Sequence, residues 1–422
     1  MPDIIRPSGH DTKETFVDMG DGTHAKRVAI GGGGATGKGD LTIDAWGAQK
    51  VSLPHSLLHG LFTFDIPPTV WMMWHGATNV ATSTNIASVG GVAQITANAA
   101  QPVVSLESRE CPRYQPNRGH LFSTAMWLPA KTNAGVRDFG LFTNENGVFF
   151  RLKSDGQLYA VLRRAGVEVR EELIDTSVLT GFNVEKNNIY DIQFQWRSAG
   201  NYHFFIGDPS TGVQKRVHTF DNLGKLTSAS LEDPALPAAF KATRTTQDVV
   251  MNVACADVTS ENGTKAVYQY DSAFAEAVSI NGTNLHVIVV RSPLLIKGKT
   301  NTRAVQLARL NFSSTTAATF KVWTGNNPAA ITGGTFVGIG NGSYIETNSP
   351  DTVAGAVRST SVNVALMKNV VSVPVQALNP RSFENPAPGL ITFPVVRGEY
   401  IVVTCTATSA VVSTVVEWGE VI

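Results

Sequence analysis

The hydrophobic and polar positions of this chain alternate with a period of two. In Ile189-Tyr-Asp-Ile-Gln-Phe-Gln-Trp-Arg, residues Tyr190, Ile192, Phe194 and Trp196 fall on one face and Asp191, Gln193, Gln195 and Arg197 on the other. That period predicts a strand with one apolar and one wetted side. Ser198-Ala-Gly-Asn reads as a turn, and Tyr202, Phe204 and Ile206 repeat the pattern on the return. Upstream, Asp138–Thr143, Val148–Leu152 and Gln157–Arg163 read as three strands joined through Asn146-Gly147 and Ser154-Asp-Gly156, both strong hairpin signals. Near the end, Tyr400–Ala407 alternates, a turn is expected near Ser409, and Val411–Trp418 places Val412, Val416 and Trp418 on one side. Helical periodicity is nearly absent; Asn301–Asn311 is the best candidate and reads equally well as a strand.

Hairpins with one apolar face need a second layer to cover it. The expected fold class is therefore all-β: two successive antiparallel β-sandwich or jelly-roll domains preceded by an extended, glycine-rich N-terminal arm. The arm is residues 1–50, where Gly31-Gly-Gly-Gly and Gly37-Lys-Gly-Asp separate the short extended segments Glu14–Val17 and Ala25–Ile30. So small and glycine-rich a stretch cannot bury a core of its own and is expected to order along a partner. Residues 51–290 are expected to form the first sandwich. Residues 291–422, with turn signals at Gly325-Asn-Asn-Pro, Gly333-Gly334, Gly340-Asn-Gly and Asn379-Pro, are expected to form the second.

Composition narrows the function classes. The 422 residues carry 34 basic and 34 acidic side chains, a formal net charge of zero, and charged residues are only 16% of the chain. A nucleic-acid binder would show a basic excess, so none is expected. Weak charge also removes colloidal repulsion and points to protein partners, self-association included. The three cysteines, Cys111, Cys255 and Cys405, lie far apart with no CxxC pair, which argues for a reducing site of synthesis. Cys405 shares its face with Ile401 and Val403 and reads as a small buried hydrophobe. No signal peptide and no membrane span are expected.

Each candidate chemical motif has a plainer competitor. The run Gly32–Gly39 matches a P-loop through Lys38, but glycine stands where a Ser or Thr should hold Mg²⁺, and the following residues read as turn and strand. Asp18, Asp21 and Asp40 lack the ligand spacing of a calcium loop. His55 and His59 have the i, i+4 spacing of a helical metal pair, with His75 nearby, but Pro54 and Gly60 leave room for one turn at most. No cofactor and no metal are expected. Neither a Gly-x-Ser-x-Gly elbow nor an activated cysteine is present. Glu107, Glu110, Glu145, Glu168, Glu171 and Glu172 are available for glycoside hydrolysis, yet spacing alone does not pair them. Phe62, Phe64, Trp71 and Trp74 are candidates for an interface or a sugar-stacking platform, against ordinary core as the alternative. The polar, proline-interrupted run Glu107–Tyr114 reads as a loop held by salt bridges or as an inter-subunit contact.

Three segments resemble structural proteins of tailed bacteriophages. Thr15-Phe-Val-Asp-Met-Gly-Asp-Gly-Thr-His-Ala-Lys-Arg-Val, followed by glycines, is similar to an N-terminal segment common in that class. The stretch from Phe139 through Ser154-Asp-Gly, continuing to Gln193-Phe-Gln-Trp, resembles its lectin-like sandwich, and Glu417-Trp-Gly-Glu after paired valine-rich strands resembles its C-terminal domain. The resemblance implies a non-enzymatic virion protein made in the host bacterial cytoplasm. A tail appendage (fibre, baseplate or receptor-binding component) is the favoured form, and a capsid decoration protein or head fibre the alternative. A carbohydrate-binding or carbohydrate-active protein is the reading from a different class. Expected partners are further copies of the chain, most simply a homotrimer, other virion proteins reached through the arm, and host surface glycan.

Overall fold

The structure is a computed structural model. It describes residues 54–114, 118–130, 135–196, 198–261, 268–303, 305–326, 330–333, 336–338, 345–348, 360–376, 381–384, 394–395 and 397–421, with the backbone of 15–18 and 24–27. The fold is all-β. Helical turns among the described residues are short 3₁₀ pieces such as Thr176–Val178 and Val364–Leu366, and no helix there is long and apolar enough to cross a membrane.

Two eight-stranded antiparallel sheets form the first body. In the first sheet the order is Val167–Leu173, Leu158–Arg164, Gly147–Leu152, Gly135–Phe142, Ala238–Arg244, Val103–Ser108, Trp71–His75 and Thr78–Val80. In the second, Gln214–Phe220, Tyr202–Gly207, Asn188–Phe194, His120–Trp127, Val249–Glu261, Val92–Ala97 and Ile86–Val89 follow one another, and Pro54–Leu61 also pairs with Val249–Glu261. The alternation read from sequence aims Tyr190, Ile192, Phe194, Tyr202, Phe204 and Ile206 inward, where they meet Phe139, Phe150 and Phe240 of the first sheet in one core. Rings interlock across the layers: Phe139 and Tyr190 are 5.0 Å apart, Phe150 and Phe204 5.0 Å, and Phe122 and Phe240 6.2 Å. The polar side of Asn188–Phe194 differs from expectation. Asp191, Gln193 and the following Gln195 are buried rather than wetted, and Phe205, paired with Asp191, is buried on the same outer face.

A second core runs from Ala273 to Trp418 and is built differently. Tyr268–Arg291 and Tyr400–Val421 pair antiparallel along their whole length, Tyr268 opposite Val421 and Arg291 opposite Tyr400. The boundary expected near residue 290 therefore falls at the far end of a strand that belongs to the C-terminal sheet. Val305–Ser314 pairs with the 412–420 half of the last strand, and Ala318–Gly325 with its 400–406 half. The nine-stranded sheet thus folds over itself, bringing Phe312 and Phe320 to 4.7 Å. No chain reversal occurs at Ser409. It takes φ +110° inside one continuous strand, and the 314–318 turn grips it there: Thr316 Oγ1 donates to the Ser409 carbonyl and Val411 N–H to Thr315 Oγ1. Asn301–Asn311 resolves as strand from Val305 onward. Ile401, Val403 and Cys405 are buried together as expected.

In the N-terminal arm, Thr15–Asp18 and His24–Arg27 pair as a small antiparallel hairpin, Thr15 opposite Arg27. The rest of residues 1–50, including the glycine run 32–39 and Asp21 and Asp40, lies outside the described residues.

Candidate functional site

The aromatic candidates separate. Phe62 and Trp71 are core residues, their rings 5.1 Å apart, with Trp71 also 6.3 Å from Phe240. Phe64 is 93% exposed beside exposed Leu61, and Trp74 is half-buried on the outer face of the first sheet. The exposed aromatic band expected over 62–74 reduces to Phe64 and the edge of Trp74. The histidines do not gather. His55 and His59 lie on a strand, where four residues span roughly 13 Å, His59 faces Asp257 at 3.5 Å, and His75 Nε2 is 2.7 Å from Ser83 Oγ. Among the described residues no cluster of His, Cys, Asp and Glu could hold a metal ion.

The outer face of the first sheet carries a dense set of charges. Residues alternate out of the core, so Ser105, Glu107, Asp138, Phe149, Arg151, Tyr159, Val161 and Lys241 share this face. Phe142, Phe149, Val161 and Ala239 form a small apolar floor. It is tightly built: Gly140 sits at φ +151°, and a Cβ there would lie 2.7 Å from Phe149 Cα. Arg151 spreads over that floor, 5.4 Å from the Phe149 ring, and clamps Asp138 with two hydrogen bonds of 2.7 and 3.0 Å. Its remaining Nη1 reaches Glu168 at 2.7 Å and Glu171 at 3.2 Å. Arg163 also binds Glu168, at 3.1 Å, and Lys153 binds Glu171 at 2.7 Å. The hydrogen bond from Arg151, aided by Arg163, holds the Glu168 carboxyl below the usual carboxylate range. Asp138, Glu168 and Glu171 thus serve as counter-ions to these cations.

The polar run Glu107–Tyr114 meets the C-terminal domain. Arg397, 3% exposed, donates from Nη2 to Glu107 Oε2 and to the Ser108 carbonyl, both at 2.9 Å. Gly398 makes this approach possible: it turns the chain at φ +76°, and a Cβ there would meet Leu294 Cδ2 at 2.7 Å. Arg109 is buried beside Arg397 and donates from Nε to the Pro68 carbonyl; desolvation lowers it to about 10. Asn326 Nδ2 donates to the same Pro68 carbonyl at 2.9 Å. Of the two readings of this run, salt bridging is what the chain itself supplies. Glu110, within the same run, is exposed at the surface, and the loop packed around it raises its carboxyl from the ordinary range by desolvation.

Beside this seam lies a cleft of about 510 Å³ between the domains. The first domain contributes the loop Cys111–Tyr114, the hairpin turn Thr143–Asn146 and the segment Glu232–Leu236; the second contributes Lys299, Thr300, Thr302 and Arg303. Its walls are joined by Thr300 Oγ1 donating to Glu145 (2.8 Å), Lys299 Nζ to Glu232 (2.6 Å) and Thr302 Oγ1 to Asp233 (2.6 Å). Burial pushes the Cys111 thiol at its edge up to about 12, so it is no nucleophile. Lys299, Thr300, Thr302 and Arg397 carry no periodic or motif signal; only the Arg-Gly dipeptide at 397–398 hints at a special turn.

No family model matches the chain, and no curated protein matches it. Some solved structures are similar to about half of the chain. A putative β-glucanase from Mycobacterium abscessus is 14% identical, covering 48% of this chain and 100% of its own, with a TM-score of 0.35. A β-1,3-glucanase from Mycobacterium marinum is 12% identical over 48% of this chain and 98% of its own, TM-score 0.34. The CBM2 module of the evolved Dit protein of Lactobacillus casei BL23 phage J-1 is 11% identical over 51% of this chain and 99% of its own, TM-score 0.33.

Proposed function

We propose that this chain is a non-enzymatic structural protein of a tailed-phage virion, most simply a trimeric tail appendage whose residues 1–50 dock it to the particle and whose outer surface contacts host glycan. The observation that carries the non-enzymatic part is the ion-pair lattice on the first sheet. A glycosidase needs one protonated carboxyl, raised in pKa, facing one free carboxylate across the sugar. Here Asp138, Glu168 and Glu171 are each bound by Arg151, Arg163 or Lys153, and Glu168 is lowered. The bidentate geometry is that of structural recognition, and it holds the sheet's surface rigid. The domains are likewise braced by buried Arg397, which suits a structural role. The virion assignment is supported by the three resembling segments; within the first, Thr15–Asp18 and His24–Arg27 pair antiparallel.

Deleting residues 1–45 tests the docking role. A folded oligomer that no longer incorporates into particles is the expected result, and normal incorporation contradicts it. Copy number per particle separates the forms: tens of copies fit an appendage, hundreds a capsid lattice. The competing reading is carbohydrate turnover, for which Glu110, exposed on the loop after Val103–Ser108, is the candidate acid. Host polysaccharide hydrolysis that vanishes in Glu110→Gln would establish that reading in place of this one.

A further inference from the structure

We propose that the cleft between the two domains is a saccharide-binding site that takes the end of a neutral glycan. This deepens the glycan-contact part of the proposed function and rests on it.

The cleft is preformed. Each wall is fixed by bonds of its own as well as by bonds across the junction. Thr143 Oγ1 accepts from the Glu145 and Asn146 amides, both at 3.1 Å, and Asn146 Oδ1 accepts from the Glu232 amide at 3.0 Å. The Ala235 amide donates to Asp233 Oδ1 at 2.9 Å. Its volume of about 510 Å³ lies within the range of small-ligand sites, roughly 300–1,000 Å³.

The lining decides the ligand class. Three cations, Arg113, Lys299 and Arg303, stand against three carboxylates, Glu145, Glu232 and Asp233, so the charges cancel. An anion such as a phosphate meets three carboxylates, and a cation meets as many basic groups; neither gains a net field. A neutral ligand dense in hydroxyls meets acceptors and donors together. A carboxylate accepts about four hydrogen bonds, and the contacts across the junction use one on each of Glu145, Glu232 and Asp233. Tyr114, Pro234, Ala235 and Leu236 add apolar wall of the kind that packs on the C–H face of a sugar ring. Tyr114 is held in place by its ring contacts, stacked 5.9 Å from Phe194 and tilted against His120 at 5.3 Å. On the outer face of the first sheet, by contrast, Asp138, Glu168 and Glu171 are all tied to Arg151, Arg163 or Lys153, whereas in the cleft an ammonium group holds Glu232 and hydroxyls hold Glu145 and Asp233.

The test is saturation-transfer NMR and calorimetry on the full chain. The probes are glucose, galactose, N-acetylglucosamine and rhamnose with their disaccharides, against glucuronate and glucosamine. At least one neutral sugar is expected to bind, with its charged counterparts several-fold weaker. Ala235→Trp, which fills the cleft, should abolish binding, and Glu145→Gln should weaken it roughly tenfold. Trp74→Ala, on the outer face, should leave it unchanged. Melting temperature checks each fold, and if Ala235→Trp does not fold, Glu145→Gln and Thr300→Val carry the test. Binding that survives the cleft variants and disappears in Trp74→Ala overturns the cleft while preserving glycan contact. Preference for a charged sugar overturns the ligand class. Absence of binding by every neutral sugar overturns the cleft and glycan contact together, and leaves the structural role to particle labelling.

Discussion

The two cores of this protein enclose apolar volume by different means. In the first, two separate sheets face each other, and aromatic rings such as Phe139, Phe150, Tyr190 and Phe204 bridge the gap. Independent sheets lie ~10 Å apart, a distance that large side chains fill. In the second, one sheet bends back on itself around mostly aliphatic side chains such as Val278, Val287, Val403 and Val416, with Trp418 and the Phe312–Phe320 stack as its large rings. Register shifts between Ala275 and Val278, Ile280 and Asn281, Gly282 and Leu285, and His286 and Ile288 mark where the long pairing bends. Hairpin neighbours supply much of the first core, whereas the second depends on a strand beginning at Tyr268 finding one that ends at Val421. Local hairpins make the 135–173 and 188–220 strands of the first body legible, while the middle of each sheet is closed by 54–108 strands pairing with Ala238–Arg244 and Val249–Glu261. Distant pairing makes the second cooperative as a whole.

The largest expected effect separates the cores directly. Phe150→Ala should cost about 3–5 kcal/mol, and Val403→Ala only about 2 kcal/mol, because the removed ring leaves the greater void. Urea unfolding measures both, and equal losses would remove the distinction. Next comes the seam. Arg397→Met leaves Glu107 partly buried without its cation, at a cost of about 3 kcal/mol. It should also split a shared melting transition into two, which calorimetry would resolve. A single transition in the variant would show that the domains are coupled elsewhere.

A smaller effect is confined to the first core. His120 is buried against Tyr114 and Phe194, and desolvation lowers it to about 4, whereas the unfolded value is about 6.5. As pH falls from 6.5 toward 4 the unfolded chain takes up a proton that the folded one refuses, so stability declines over that window. The ceiling is about 3 kcal/mol, and His120→Phe should flatten the slope. The smallest effect is chemical. Native thiol labelling should modify half-buried Cys255 first and spare Cys111 and Cys405, which are buried. Fast labelling of Cys405 would mean that the folded-over sheet opens.

Sequence alone made the strands visible where apolar residues alternate along the chain, as in Tyr190–Phe194 and Ile401–Cys405, although both faces of those runs are buried, and where Asn146-Gly147 and Asp155-Gly156 close hairpins. It misled where a local signal met a distant partner. Ser409 reads as a turn, but pairing on both sides of the strand absorbs its positive φ as an irregularity. Gln193 reads as wetted, although its face is buried. Phe62 and Trp71 suggested a platform because composition does not distinguish an inward ring from an outward one. The junction was illegible for a simpler reason. Arg397 and Glu107 are 290 residues apart, and no periodicity relates them.

Immunogold electron microscopy of purified particles, with antibody raised against this chain, tests the virion assignment most directly. Gold at the tail or its tip is the expected result, and gold over the head would make the chain a capsid protein of the same class. Gold on neither intact nor disrupted particles would contradict the assignment outright.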